Sequence, residues 1–155
     1  MLGVQLPEAL EAETRARILR QFPGAQFEAP SPEVAAAIDG IVELLGGVPN
    51  DLREIVLDMH AVPAFDRRVY EIARAIAPGH TQTYGDVAAL LGDRAAARAV
   101  GSALGRNPFA IVVPCHRVLA ADGRPGGFSA NGGVVTKLKL LTVEGAQARG
   151  TSSLF

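Results

Sequence analysis

Cys115 is the only cysteine of the chain and lies in the run Ile111-Val112-Val113-Pro114-Cys115-His116-Arg117-Val118. A thiol is nucleophilic only as its thiolate, and an imidazole or guanidinium beside it draws its pKa towards physiological pH. Three consecutive residues therefore place a thiol beside an imidazole and a guanidinium. The Ile-Val-Val run reads as a buried strand, and Pro114 ends its hydrogen-bonding register. The thiol is expected at that strand end, with a depressed pKa.

The elements that would position it can be read outwards from there. Thr83 is a good N-cap for a helix Tyr84 to Leu91, which Gly92-Asp93 closes, and a second helix, Ala95 to Leu104, follows at once. Two short helices joined by a tight turn containing glycine are the sequence picture of a helix-turn-helix, although many helical hairpins that bind no DNA look the same. Phe65 to Ala77 places Phe65, Val69, Ile72 and Ile76 on one helical face before Pro78-Gly79 ends it. After Cys115 come a glycine-rich loop, Asp122 to Gly133, and a helix from about Val135 to Glu144.

The first half is organised differently. Pro7 to Gln21 reads as a helix and Ala25 to Ala29 as a short strand. Ser31 caps a helix that begins at Pro32 and runs to Leu45, and Arg53 to Met59 alternates enough to suggest another strand. A boundary near Ala61 to Ala64 gives the expected division: residues 1–61, residues 62–146, and a tail 147–155.

Composition narrows the class. Hydrophobic residues make up 48% and charged residues 20%, which argues for a folded globule and against disorder. One cysteine excludes an internal disulfide and a cysteine-rich zinc site, so a reducing, cytoplasmic setting is expected. Neither His60 nor His80 has a second ligand at metal spacing, and no metal or other cofactor is expected. Met1 to Glu13 carries acids and no long apolar run, unlike a secretion signal. No apolar run approaches the ~20 residues that span a bilayer, so no membrane partner is expected. Residues 1–65 hold four arginines against ten acids, whereas residues 66–145 hold ten basic residues against six acids. A polyanion contact therefore belongs in the second half.

The motifs Thr83-Tyr84-Gly85-Asp86, Ala97-Arg98-Ala99-Val100-Gly101, Asn107-Pro108, Pro114-Cys115-His116-Arg117-Val118 and Gly126-Gly127-Phe128-Ser129 together resemble the O6-alkylguanine-DNA alkyltransferases. The resemblance is strong over about Phe65 to Gly145 and faint over residues 1–60. It implies an α+β fold: a small, truncated-looking N-terminal α/β domain of ribonuclease-H-like type, and a mainly helical, winged-helix-like C-terminal domain with a helix-turn-helix. It also implies a monomer that acts once on double-stranded DNA carrying O6-alkylguanine or O4-alkylthymine.

The same resemblance assigns roles. Cys115 would accept the alkyl group, His116 would act as base through a water, Glu144 would orient the imidazole, and Asn107 would hold the turn. Tyr84 would press on a backbone phosphate, and Arg98 would fill the gap left by a flipped base. The small residues Ala97, Ala99, Gly101 and Ser102 would let the second helix approach the minor groove, with Arg106 also on the DNA side. Val113, Pro114, Val118, Phe128 and Ser129 would form the substrate pocket. Phe128 stands where many relatives carry tyrosine, and the loop Ser129 to Lys137 is about two residues longer than in the best-known relatives. Two readings compete: a damage-sensing DNA-binding protein without transfer activity, and a helix-turn-helix regulator in which Cys115 senses oxidants.

Overall fold

The computed structural model describes residues 1–148, so all but the first two residues of the expected tail lie outside the described range. The first helix, α1, spans Glu11–Gln21 and buries none of its residues. It starts four residues later than its sequence pattern suggests. Helix α2 spans Pro32–Leu45; the Ser31 side chain accepts from the Val34 N–H, and Pro32 occupies the first turn, where no backbone donor is needed. The expected strands at Ala25 to Ala29 and Arg53 to Met59 do not form: both stretches are irregular. An alternating pattern needs a partner strand to satisfy its backbone, and Ala25 to Ala29 has none. Arg53 to Met59 meets only Met1, whose amino group donates to the Val56 carbonyl at 2.9 Å and whose carbonyl accepts from the Asp58 N–H at 2.8 Å, too short a contact to make a strand. Residues 1–61 thus contribute two helices and one isolated bridge, Val4 to Phe109, instead of a small sheet.

Helix α3, Ala64–Arg74, follows the expected boundary and buries Val69, Tyr70 and Ala73. Tyr70 donates to the Ala103 carbonyl at 2.9 Å and meets Phe109 edge-on, with ring centroids 6.3 Å apart. Next come β1 (Gln82–Thr83), α4 (Tyr84–Leu90), a 3-10 turn (Arg94–Ala96) and α5 (Ala97–Gly105). A reciprocal cap starts α4: Thr83 Oγ1 accepts from the Asp86 N–H, and Asp86 Oδ2 accepts from the Thr83 N–H, each at 3.0 Å. A second 3-10 turn, Cys115–Arg117, leads into β2, Val118–Leu119, and helix α6, Gly133–Val143, ends the described fold.

The parallel pairing of β1 with β2 sets Gln82 against Val118 and Thr83 against Leu119. Tyr84, one residue past β1, is thereby brought beside the segment that contains Cys115. The result is a mixed α and β fold in which six helices surround one small sheet among the described residues. The main core draws on both halves of the chain, since Leu6, Leu44 and Leu52 join Val69, Val87, Val100 and Val113 in one cluster.

Ile111 to Val113 is buried as expected but is not a strand. Ile111 has φ 71°, a left-handed conformation that is rare for a β-branched residue and costs roughly 1–3 kcal/mol. The chain turns here, with the Val112 N–H on the Ala110 carbonyl and the Val113 N–H on the Phe109 carbonyl, both at 2.9 Å. A short apolar run signals burial but not whether a ladder or local turns satisfy its backbone.

Candidate active site

The nucleophile is delivered by this turn. Asn107 donates from Nδ2 to the Val113 carbonyl at 2.9 Å and accepts from the Phe109 N–H at 2.9 Å, so a single amide staples both ends of the buried loop before Cys115. Cys115 is 9% exposed and forms part of the wall of a cleft of about 810 Å³. Tyr84, Ala97, Arg98, Gly101, Ser102, Phe128 and Ser129 line the same cleft. Arg98 is exposed, and although its carbonyl accepts from the Ser102 hydroxyl at 3.2 Å, its side chain makes no hydrogen bond or ion pair among the described residues, which leaves its guanidinium available.

Tyr84 packs between α5 and the glycine-rich loop. Gly126 has φ 64°, and a Cβ there would lie 3.2 Å from the Tyr84 hydroxyl oxygen, so glycine is required by conformation as well as by space.

Behind Cys115 lies a buried cluster of charge. His116 Nε2 is 2.9 Å from Glu144 Oε1, and the two side chains are 1% and 3% exposed. Arg117 grips the same carboxylate with both arms, Nε to Oε2 at 2.9 Å and Nη2 to Oε1 at 2.8 Å, and it also donates from Nη1 to the Ile76 carbonyl. Glu144 is held in place by the way α6 ends. Gly145, with φ 72°, donates to the Thr142 carbonyl, and Ala146 donates to the Leu141 carbonyl, the paired bonds of a left-handed helix terminus.

The titration behaviour follows from burial. Burial alone would raise the Glu144 carboxyl, but hydrogen bonds from His116 and Arg117, together with the Arg117 charge, bring it down to about 2. Burial lowers the His116 pKa, and Glu144 only partly opposes this. The imidazole is therefore neutral at rest. Its Nε2 faces a carboxylate that can only accept, so Nε2 carries the hydrogen and Nδ1 is the basic nitrogen. Nδ1 has no hydrogen-bond partner among the described residues.

Burial also raises the Cys115 thiol, against the opposing pull of Asn107, Lys137 and nearby backbone N–H groups. The expected depression of the thiol pKa is thus corrected. A neighbouring histidine lowers a thiol pKa by being charged, and here it is not.

The sequence reading missed Lys137. Only 1% exposed, it donates from Nζ to the Val118 carbonyl at 2.7 Å and lies 5.7 Å from the centre of the Tyr84 ring. Burial lowers its pKa to about 8, so it is mainly cationic at neutral pH. Among the described residues it has no carboxylate partner. The available signal was its spacing. Lys137, Leu140, Leu141 and Glu144 recur at one helical face, and that face points inwards.

Other expected site residues lie elsewhere. Val113, Pro114 and Val118 are buried in the packing behind Cys115 and do not line the cleft. Ala99 is exposed on α5 but outside the lining. Arg106 does not face the cleft: its Nε and Nη2 hold the two oxygens of Asp66 at 3.0 and 2.9 Å, because that buried carboxylate needs a partner. Gly85, Leu104, Gly105, Ala120, Ala121 and Gly127, to which the sequence reading gave no site role, complete the wall.

Residues 64–146 match the family model described as 6-O-methylguanine DNA methyltransferase, DNA binding domain. The chain belongs to this family. A methylated-DNA–protein-cysteine methyltransferase of Methanothermobacter thermautotrophicus is 39% identical over 121 residues, which cover 78% of this chain and 66% of that protein. Among solved structures, the crystal structure of Mycobacterium tuberculosis OGT in complex with DNA is 36% identical with a TM-score of 0.67, covering 82% of this chain and 77% of that one. An O6-methylguanine DNA methyltransferase from Methanococcus jannaschii is 31% identical with a TM-score of 0.67, covering 95% of this chain and 83% of that one.

The charge cluster makes a stability prediction. Glu144 ionises at about 2 when folded and near the ordinary 4.5 of a free glutamate when unfolded, so its contribution is complete above pH 4.5 and is lost as pH falls towards 2. Glu144→Gln should destabilise the fold by roughly 3 kcal/mol at pH 7, because it leaves Arg117 buried without its counter-charge. Urea unfolding at stepped pH checks this: the gap between wild type and variant should close between pH 4.5 and 2.

Proposed function

We infer that this chain repairs alkylated DNA by moving the alkyl group from O6 of guanine to Cys115, once per molecule. The observation that carries the reading is a cysteine at the wall of an open cleft, backed by a histidine whose basic nitrogen is set by a buried carboxylate. Sγ of Cys115 forms a bond to the alkyl carbon as the bond from that carbon to O6 breaks. The thiol proton passes, through a water, to Nδ1 of His116, and that proton is then returned by way of water to the departing guanine, so that His116 ends neutral. The products are a thioether on Cys115 and restored guanine. The same displacement suits O4-alkylthymine.

The buried Lys137 charge supports the step. An ammonium with no carboxylate partner is offset by the thiolate as it forms, and that attraction is strong because water is excluded. Asn107 holds the turn so that Sγ keeps its direction. A thioether cannot be exchanged as a disulfide can, which supports a stoichiometric reaction.

The partner is DNA, and the lesion is read as a flipped base in the cleft. The α4 and α5 pair acts as the helix-turn-helix of a winged-helix-like domain over residues 62–146, with residues 1–61 bracing it. The small residues Ala97, Gly101 and Ser102 admit close approach to the minor groove. Arg98 enters the stack to replace the flipped base, and Tyr84 presses on the backbone to turn it out. The protein works as a monomer in the reducing cytoplasm, with access to chromosomal DNA.

Intact-mass spectrometry after mixing with duplex containing O6-methylguanine tests the reaction. The protein should gain the mass of one methylene, located on Cys115, and product should stop at one equivalent. Cys115→Ser should gain nothing yet bind DNA as wild type does. Unchanged wild-type mass with tight binding would select a damage-sensing protein instead.

Arg98→Ala separates flipping from chemistry. Transfer from duplex should slow by about tenfold or more, since base extrusion costs a few kcal/mol, while reaction with free O6-benzylguanine stays near wild type. Equal losses on both substrates would remove Arg98 from the flipping step.

A further inference from the structure

Helix α1 buries none of its residues, yet it reaches the substrate loop. Arg17 donates from Nη2 to the Ser129 carbonyl at 3.0 Å, across 112 positions of sequence. Its other arm, Nη1, is fixed at 2.7 Å by Glu8 Oε1. Glu8 is in turn braced: Gln5 Nε2 donates to the same oxygen at 3.2 Å, and the Glu8 N–H donates to Thr14 Oγ1 at 2.9 Å.

The segment just before Glu8 is anchored to the other side of the site. The Val4 N–H donates to the Pro108 carbonyl at 2.8 Å, and Leu6 is buried in the main core. One end of this amino-terminal unit therefore grips the stretch containing Asn107, which staples the nucleophile turn. Its other end grips the loop that carries Phe128 and Ser129 on the cleft wall.

Apart from the packing of Phe128 and Ala130 against the main core, the loop has few ties to the rest of the chain. The Gly133 N–H on the Ala130 carbonyl, the Val135 N–H on the Gly132 carbonyl and the Thr136 hydroxyl on the Asn131 carbonyl all join it to itself or to the start of α6. Among the described residues, Arg17 makes the only hydrogen bond that reaches residues 126–132 from elsewhere in the chain. A guanidinium bound to a carboxylate and a carbonyl makes strong, directional bonds, and two fixed arms leave it little freedom to swing away.

We propose that Arg17 is a positioning residue for alkyl transfer: anchored by Glu8, it latches the Phe128-Ser129 wall at the distance from Cys115 that the reaction needs. This rests on the alkyl-transfer reading above. The latch acts on geometry in the bound complex and not on DNA capture, because Arg17 holds the wall of the cleft and does not itself line it. Small misplacements of reacting groups are costly in rate.

Single-turnover kinetics of the full chain on methylated duplex, over a range of duplex concentrations, tests it. For Arg17→Ala the first-order rate at saturating duplex should fall about tenfold. The half-saturating concentration and the affinity for undamaged duplex should stay within about twofold of wild type. Arg17→Lys should recover most of the rate, because an ammonium can still donate to the Ser129 carbonyl, and Glu8→Gln should fall between. An Arg17→Ala rate within about twofold of wild type would overturn the latch. So would a loss confined to half-saturation, or one that Arg17→Lys does not recover. Transfer by wild type in the same series keeps the two questions apart: if wild type transfers and Arg17→Ala matches it, only the latch fails, and if wild type transfers nothing, both readings fail.

Discussion

One buried carboxylate organises the site. An anion removed from water must be fully hydrogen-bonded and closely paired, or the fold cannot carry it. Glu144 meets this demand by taking both arms of Arg117 and the Nε2 of His116. Arg117 spends its remaining arm on the Ile76 carbonyl, just past α3. The end of α6, the end of α3 and the turn holding Cys115 are thereby locked to one another. The function of His116 is decided by the same bond, which fixes the hydrogen on Nε2 and leaves Nδ1 basic.

The cluster does not make a resting thiolate. With Glu144 paired to Arg117 and His116 neutral, no net positive charge from this trio faces the thiol, and burial keeps Cys115 protonated. In the proposed reaction, activation is deferred to the encounter with the alkyl carbon, when the proton moves to His116 and the developing charge on sulfur meets Lys137. A thiol kept neutral until then is protected from oxidants and stray electrophiles, which attack the thiolate. That protection suits a protein whose single cysteine is consumed by one reaction.

What was legible in the sequence was what is decided locally. Ser31-Pro32, the Thr83 and Asp86 cap, and the glycines after α2 and α4 announce helix ends by side-chain-to-backbone bonds within a few residues, and the helices stand close to where those signals put them. Cys115, His116 and Asn107 were legible through motif resemblance and their closeness in sequence. The strands were not, because a strand is defined by its partner: Ala25 to Ala29 has none, Arg53 to Met59 meets only the single residue Met1, and Ile111 to Val113 satisfies itself by turning. The pairing of Arg106 was not legible, because its partner, Asp66, lies 40 positions away. Lys137 shows in the sequence only the helical spacing that turns its face inwards, and neither its bond to the Val118 carbonyl nor that of Arg17 to the Ser129 carbonyl is carried by a local pattern.

The central claim is that Cys115 and His116 rest as a neutral pair, with the imidazole held in its Nε2–H form by Glu144. Nitrogen-15 NMR of the imidazole ring, with His116 assigned by substitution, measures this directly at neutral pH. The account predicts a protonated Nε2, coupled to its hydrogen, and an unprotonated Nδ1. An imidazolium with both nitrogens protonated, or a neutral ring with its hydrogen on Nδ1, would contradict it.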